Sequence, residues 1–91
     1  MGAVADRIRF KLDEAFAPMR LEIQDDSGKH KGHSGAREGG ESHFSVRIVS
    51  ERFEGLNRVA RQRLINAALA EELAGPVHAL SLITQSPAEA D

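Results

Sequence analysis

A 15-residue segment, residues 27–41, is the feature that most constrains how this chain can fold. It contains five glycines, three basic residues, His30 and His33, and its only hydrophobic residue is Ala36. Residues of this kind cannot form a core, so the core must come from the chain on either side. A loop of this length inside a small domain is usually functional or disordered. The sequence therefore predicts a mobile loop rich in glycine and containing two histidines.

Alternating side chains on both sides of this loop predict two β-strands. Residues 19–24, beginning with Met19 as an inward-facing residue, alternate between apolar and polar, and residues 44–48 do the same. A period of two is typical of a half-buried strand. The loop allows the second strand to return antiparallel to the first. A third apolar run, Val77–Thr84, follows a helical crossover and is therefore expected to lie parallel to the second strand.

Apolar residues three and four apart predict the helices. One such stripe runs from Val4 to Phe16 and ends before Pro18. A helical turn is expected after Ser50, and a long helix from the N-cap Asn57 to the terminator Gly75-Pro76. Apolar residues on two faces of this helix indicate that it is covered on more than one side. They include Val59 and Leu64 on one face, and Ile65 and Leu69 on the other.

The order of these elements defines the predicted fold class. It is an α+β, two-layer domain with a three-stranded mixed sheet and helices on one face, in the order αββααβ. A chain of 91 residues is long enough to bury a modest core without disulfides or a structural metal. We expect one domain over residues 1–91, with residues 86–91 as a frayed, flexible tail.

Composition excludes several kinds of function. The formal net charge is −2 and the pI is near 6.1, which counts against strong non-specific binding to nucleic acid. There is no cysteine, so the chain has no disulfide, thiol nucleophile or thiolate ligand of its own. No apolar run approaches the length of a membrane span, and the first ten residues lack the apolar block of a signal peptide. A cytoplasmic location and no membrane partner are expected.

Histidines are the only natural ligands for borderline transition metals in this sequence. His30 and His33 lie in the loop, where two imidazoles without a thiolate make a weak zinc site, and their ordinary interpretation is as polar loop residues. His78 is expected to be fixed at the start of the third strand, in phase with Leu80, and its ordinary interpretation is a half-buried histidine bonded to a backbone carbonyl. His43 begins the second strand and is interpreted as a surface or strand-edge residue.

The sequence offers little support for an enzyme. No serine or threonine has the base and the orienting acid of a recognisable nucleophile motif, and no small-molecule substrate is indicated. The glycines at 28 and 32 lack the Gly-Lys-Ser/Thr ending of a phosphate-binding loop. Arg58, Arg61 and Arg63 make the front of the long helix basic, which is either a solvated surface or a contact for an acidic partner or nucleic acid.

Several linked segments resemble the BolA family. The loop reads Asp25-Asp26-Ser27-Gly28-Lys29-His30-Lys31-Gly32-His33 and is followed by Glu41-Ser42-His43-Phe44. Further similar segments follow at the expected spacing: Val46–Ser50, Phe53–Leu56, Arg61–Leu64, Ala70–Leu73 and Val77–Leu82. The resemblance covers nearly the whole chain and implies a fold related to the class II KH domain.

The resemblance also implies a partner and a cofactor. Similar proteins bind monothiol glutaredoxins and share a 2Fe-2S cluster, for which the glutaredoxin supplies its active-site cysteine and a glutathione thiolate. On this side the resemblance implies His78 and a loop histidine as metal ligands, with His30 at the matching position and His33 as its alternate. Such a protein acts without enzymatic activity in cluster assembly, trafficking or iron regulation.

Two departures and two alternatives accompany this interpretation. Gln62 stands where many relatives have histidine, and the end of the chain lacks a frequent closing tryptophan, so the subgroup stays open.

One alternative is a DNA- or RNA-binding transcriptional regulator that uses Arg58, Arg61 and Arg63. Its weakness is the absence of a Gly-x-x-Gly clamp and of an aromatic stacking platform. The other alternative is a complex with glutaredoxin that contains no metal.

Overall fold

The predicted alternations form a three-stranded sheet in the structure, a computed structural model that describes residues 2–26 and 42–90. Strands β1 (Arg20–Asp25), β2 (His43–Val49) and β3 (Ala79–Gln85) lie in the order β1-β2-β3. β1 pairs antiparallel with β2, and β2 pairs parallel with β3. The α+β class and the mixed sheet predicted from the sequence are confirmed. The loop predicted over residues 27–41 lies outside the described residues.

Helix α1 (Ala3–Phe16) covers one face of the sheet. Its buried residues follow the predicted three-and-four spacing, and it ends where Ala17 adopts a left-handed conformation just before Pro18. The buried strand residues on this face are Ile23, Phe44, Val46 and Ile48, and the partly buried Leu21, Leu80 and Leu82 pack against them. On the other face the strands carry mainly polar residues, and no described element covers them: Glu22, Gln24, Ser45, Arg47 and Ser81, with Ile83 exposed among them.

The predicted long helix is broken into two. After a 3₁₀ turn (Glu51–Phe53), α2 covers Arg58–Ala68, and Leu69 interrupts the helical conformation before α3 (Ala70–Ala74). Asn57 caps α2 as predicted, since its side chain accepts a hydrogen bond from the backbone N–H of Ala60 at 2.8 Å. Backbone hydrogen bonds continue through Leu69, so the interruption is a local bend that keeps its side chain in the core.

Helix α2 is buried on fewer sides than the sequence predicted. Ile65 is fully buried, whereas Val59 and Leu64 are 54% and 43% exposed. The expectation that this helix is covered on more than one side is therefore wrong for the residues that the structure describes. The reason is the thickness of the domain, because two layers bury only the stripe of a helix that faces the sheet.

Two strand ends also differ from the sequence prediction. Met19 precedes β1 and is 68% exposed, although its N–H donates to the carbonyl of Val49 at 2.8 Å. Val77 is buried but lies before β3, and its N–H donates to the carbonyl of Glu72 at 2.9 Å. Backbone pairing, and not the apolar pattern alone, decides where these strands begin.

The segment predicted as a frayed tail contains a turn of helix, α4 (Pro87–Ala90). The carboxylate of Glu89 accepts a hydrogen bond from the N–H of Ser86 at 2.7 Å, which is one half of a capping box. The same carboxylate pairs with Arg61 of α2 at 2.7 Å. The first contact caps α4, and the second holds it against α2. Across residues 2–26 and 42–90, no helix is long and apolar enough to cross a membrane.

Candidate metal centre

His78 stands at the entrance to β3, after the Gly75-Pro76 turn that ends α3. Its backbone N–H donates to the carbonyl of Ser42 at 2.7 Å, and the N–H of Ala79 donates to the same oxygen at 3.2 Å. The backbone is thereby held against the start of β2, as expected. The imidazole, however, is exposed and not half-buried, because β3 begins one residue later and no described element covers this position. An exposed ring on a fixed backbone suits a ligand that a partner must reach.

His43 begins β2 beside this turn. It lies opposite Ala79 in the parallel register, and its carbonyl accepts the N–H of Asp26 at 2.7 Å. Its Nδ1 atom lies 2.9 Å from the hydroxyl oxygen of Ser42, whose side chain is buried. The predicted position at the beginning of the strand is correct, but the ring is partly buried and hydrogen-bonded, so it is more fixed than a plain surface residue.

The pairing of β2 with β3 brings His43 and His78 together. Their ring centroids are 6.4 Å apart and their planes differ by 15°. Sequence reasoning assigned His43 no role, although a signal was available. Parallel strands begin at the same edge of a sheet, so residues just before or at the start of β2 and β3 had to be neighbours.

The loop histidines His30 and His33 fall outside the described residues. The structure does place both ends of the loop at this site. Asp26, where the described chain stops, bonds to the carbonyl of His43, and Ser42, where it resumes, contacts both His43 and His78. The loop therefore begins and ends beside the two described imidazoles.

The donor set in the described residues is small. No group of three or more His, Cys, Asp or Glu residues is arranged there to hold a metal ion. The acidic residue Asp26, whose N–H donates to the carbonyl of His43, accepts a hydrogen bond on its carboxylate from the hydroxyl of Ser45. Two imidazoles can ligate one metal ion but do not hold an iron–sulfur cluster alone, and this chain has no cysteine to add. Any cluster bound here needs thiolates from a second molecule.

The three arginines proposed for nucleic acid do not share one surface. Arg61 is only 8% exposed, and its guanidinium donates to the carbonyl of Thr84 at 3.1 Å and to Glu89 at 2.7 Å. Arg58 and Arg63 are exposed. They are five positions apart on the helix, so their side chains point in directions about 140° apart around its axis. Arg61 therefore holds α2, β3 and α4 together, and the arrangement does not gather three cations for a phosphate backbone.

The ion pair with Arg61 leaves a clear electrostatic effect on Glu89. The hydrogen bond from Arg61, followed by that from the Ser86 N–H, lowers the pKa of the Glu89 carboxyl from 4.5 to about 2. The carboxylate therefore stays ionised at physiological pH. This ion pair lies at the far end of β3 from His78 and takes no part in the imidazole site.

Comparison with known proteins gives the family. The family model for BolA-like protein matches residues 12–89. BolA-like protein 1 from Homo sapiens is 49% identical over 89 residues, covering 98% of this chain and 62% of that protein, so the chain spans less than two thirds of this relative. A DNA-binding transcriptional regulator BolA from Vibrio cholerae is 44% identical over 86 residues, covering 94% of this chain and 77% of that protein. The BolA domain of SufE1 from Arabidopsis thaliana superposes with a TM-score of 0.86 at 44% identity, covering 98% of both chains. The chain belongs to the BolA family.

Proposed function

We propose that this chain is a non-enzymatic adaptor that binds a monothiol glutaredoxin and shares a 2Fe-2S cluster with it. The ligands from this side are His78 and a loop histidine, His30 or its alternate His33. The observation that carries the proposal is the exposed imidazole of His78 on a backbone bonded to Ser42, where the histidine-containing loop ends.

Covalent reach supports the loop histidine as the second ligand. His30 follows Asp26 by four residues, so its Cα lies within about 14 Å of the Asp26 Cα, and that of His33 lies within about 25 Å. The N–H of Asp26 is bonded to His43, whose ring neighbours that of His78. The chain from Asp26 to His30 is therefore long enough for His30 to join His78 on one iron, and it is short enough to keep His30 near this site. The longer chain to His33 allows His33 to take its place.

The division of ligands follows from the residues present. Two imidazoles on one iron, with thiolates on the other, form a known type of 2Fe-2S centre with a raised reduction potential. This chain offers imidazoles and has no cysteine, so the glutaredoxin cysteine and a glutathione thiolate complete the set. When bound, the cluster supplies electron-accepting iron and a cargo for transfer. The residues of this chain orient and hold it through Ser42 and the β2–β3 pairing.

The experiment is reconstitution of the mixed complex. A monothiol glutaredoxin, iron, sulfide and glutathione are combined with the wild-type chain, with His78→Ala, or with the double variant His30→Ala/His33→Ala. We expect both variants to change the visible absorption and circular dichroism and to shorten the lifetime of the cluster, because each removes a nitrogen ligand. Matched controls are Ser81→Ala on exposed β3 and Lys31→Ala in the loop, which leave the spectra unchanged. Identical spectra for all five proteins would show that the ligand assignment is wrong.

The same mixtures test the complex without metal. If His78→Ala still co-elutes with glutaredoxin in the absence of iron, docking and ligation are separate properties of one surface. Loss of co-elution in that variant would instead show that the imidazole itself forms part of the docking contact.

The rival function, nucleic-acid binding, is favoured by the name of the Vibrio cholerae relative and not by the arrangement of the arginines. It predicts a salt-dependent affinity for DNA or RNA that falls when Arg58→Glu and Arg63→Glu reverse the exposed charges. Arg61 is unsuitable for this test because its substitution disturbs buried contacts. Absence of binding at low salt would reject the rival.

A further inference from the structure

We propose that His43 and His78 by themselves form a binding site for one divalent transition-metal ion of the zinc type. The site is built by the paired starts of β2 and β3 and does not require the loop histidines or a glutaredoxin. It thus goes beyond cluster sharing, in which His43 has no part. The observation behind it is the approach of the two rings at the paired strand starts.

The separation of the rings is close to the one that a shared ion requires. A zinc–nitrogen bond of about 2.1 Å, added to about 1.2 Å from a ring nitrogen to its centroid, places each centroid about 3.3 Å from the metal. Two such rings can be at most about 6.6 Å apart, and about 5.4 Å apart at a tetrahedral angle. The observed 6.4 Å exceeds the tetrahedral separation by about 1 Å, and the rings are stacked with their planes 15° apart, so a ring must turn before both can bind one ion. Rotation of the exposed His78 side chain supplies the remaining approach.

Ser42 organises both ligands. Its backbone carbonyl holds the N–H of His78, and its hydroxyl oxygen lies 2.9 Å from Nδ1 of His43. When Nδ1–H donates to that hydroxyl, the lone pair of the ring is on Nε2, the atom that binds a metal. Metal-ligating histidines commonly use their second nitrogen in this way. Ser42 is buried, so this support is fixed in place.

Ligand chemistry selects the kind of ion. Neutral imidazoles suit zinc, cobalt, nickel and copper, whereas magnesium and calcium require oxygen ligands. Two protein nitrogens leave the other coordination positions open to water or to a ligand from a partner. If the proposed cluster sharing also holds, an ion at this site occupies His78 and competes with the cluster.

Zinc titration of the tag-free chain tests the site without iron, sulfide or glutaredoxin. Calorimetry measures affinity, and the ring proton resonances of the four histidines show which of them bind. We expect one zinc per chain, joint shifts of the His43 and His78 rings, and affinity lowered about 10-fold or more by His43→Ala or His78→Ala. The matched control His30→Ala/His33→Ala retains wild-type affinity, and Ser42→Ala causes a smaller loss than either ligand variant.

Three results would overturn the proposal: no saturable binding up to about 1 mM zinc, affinity unchanged by His43→Ala, or affinity lost in the double loop variant. Amide spectra establish that His43→Ala is folded. If it is not, His43→Gln, whose side-chain amide can still bond to Ser42, takes its place and is expected to lose zinc in the same way. Because the titration contains no cluster components, its failure leaves the reconstitution result untouched, and the reverse is also true.

Discussion

Truncation of Arg61 separates a structural arginine from one that contacts nucleic acid. Its guanidinium donates to the carbonyl of Thr84 at 3.1 Å, pairs with Glu89, and lies 5.8 Å from the centroid of the Phe53 ring. Arg61→Ala removes all three contacts between α2, β3, α4 and the core. The expected result is a loss of stability with no specific effect on a nucleic-acid surface.

The size of the loss follows from these contacts. A charged hydrogen bond to a partly buried carbonyl is worth about 1.5–3 kcal/mol, and a cation–π contact adds about 0.5–1 kcal/mol. The ion pair with Glu89 adds little because half of the Glu89 side chain is in water. Against this, the buried Nε atom of Arg61 has no partner among the described residues, and its removal relieves a cost of about 1 kcal/mol. The net loss is about 2 kcal/mol, or about 8–16 °C in Tm for a domain of this size.

Thermal unfolding monitored by circular dichroism measures this loss. The matched control is Arg63→Ala, an exposed residue two positions further along the same helix, for which we expect a change within about 0.5 kcal/mol. If Arg61→Ala melts within about 4 °C of the control, the contacts of Arg61 do not stabilise the fold as argued. If it also keeps its Tm and loses affinity for DNA, the arginine belongs to a nucleic-acid surface after all.

Two further measurements test the ion pairs. Carbon-detected NMR titration should give the Glu89 carboxyl a pKa of about 2, and Arg61→Ala should raise this pKa towards 4.5. The stabilisation by the ionised Glu89 carboxylate is fully present above pH 4.5 and disappears as the pH falls through about 2. In α3 the buried carboxylate of Glu72 accepts Lys11 at 2.9 Å and Arg7 at 3.5 Å, so Lys11→Ala should lower Tm more than Arg7→Ala. Equal effects of those two variants would contradict the assignment of Lys11 as the principal partner.

The fold could be predicted where local patterns agree with burial. Strands β1 and β2 alternate, and α1 has a single apolar stripe, so their positions followed from periodicity. The exposure of Val59 and the bend at Leu69 could not be predicted in this way. Both depend on which other elements pack against the helix, and that is a property of the whole domain. α4 was missed because its support, Arg61, is 28 residues away from Glu89.

In the candidate site, too, one residue could be selected from the sequence and another could not. His78 could be selected because its segment resembles the family pattern and lies after a Gly-Pro turn. His43 could not be selected from its neighbours in sequence, since Ser42 and Phe44 indicate only a strand. Its importance depends on β3, whose first residue, Ala79, lies opposite His43 after 35 intervening residues. The predicted parallel pairing indicates that the starts of β2 and β3 are neighbours, but the register was needed to place His43 opposite Ala79.

That register also decides how much of the proposed metal site depends on the loop. Moving β3 by one residue along β2 would turn alternate side chains to the opposite face and remove Leu80 and Leu82 from the core. The core therefore fixes which residues stand at the paired strand starts. Ser42 then holds the backbone of His78 beside the ring of His43. We therefore expect changes in the length or composition of residues 27–41 to alter the proposed loop ligand while the pair formed by His43 and His78 persists.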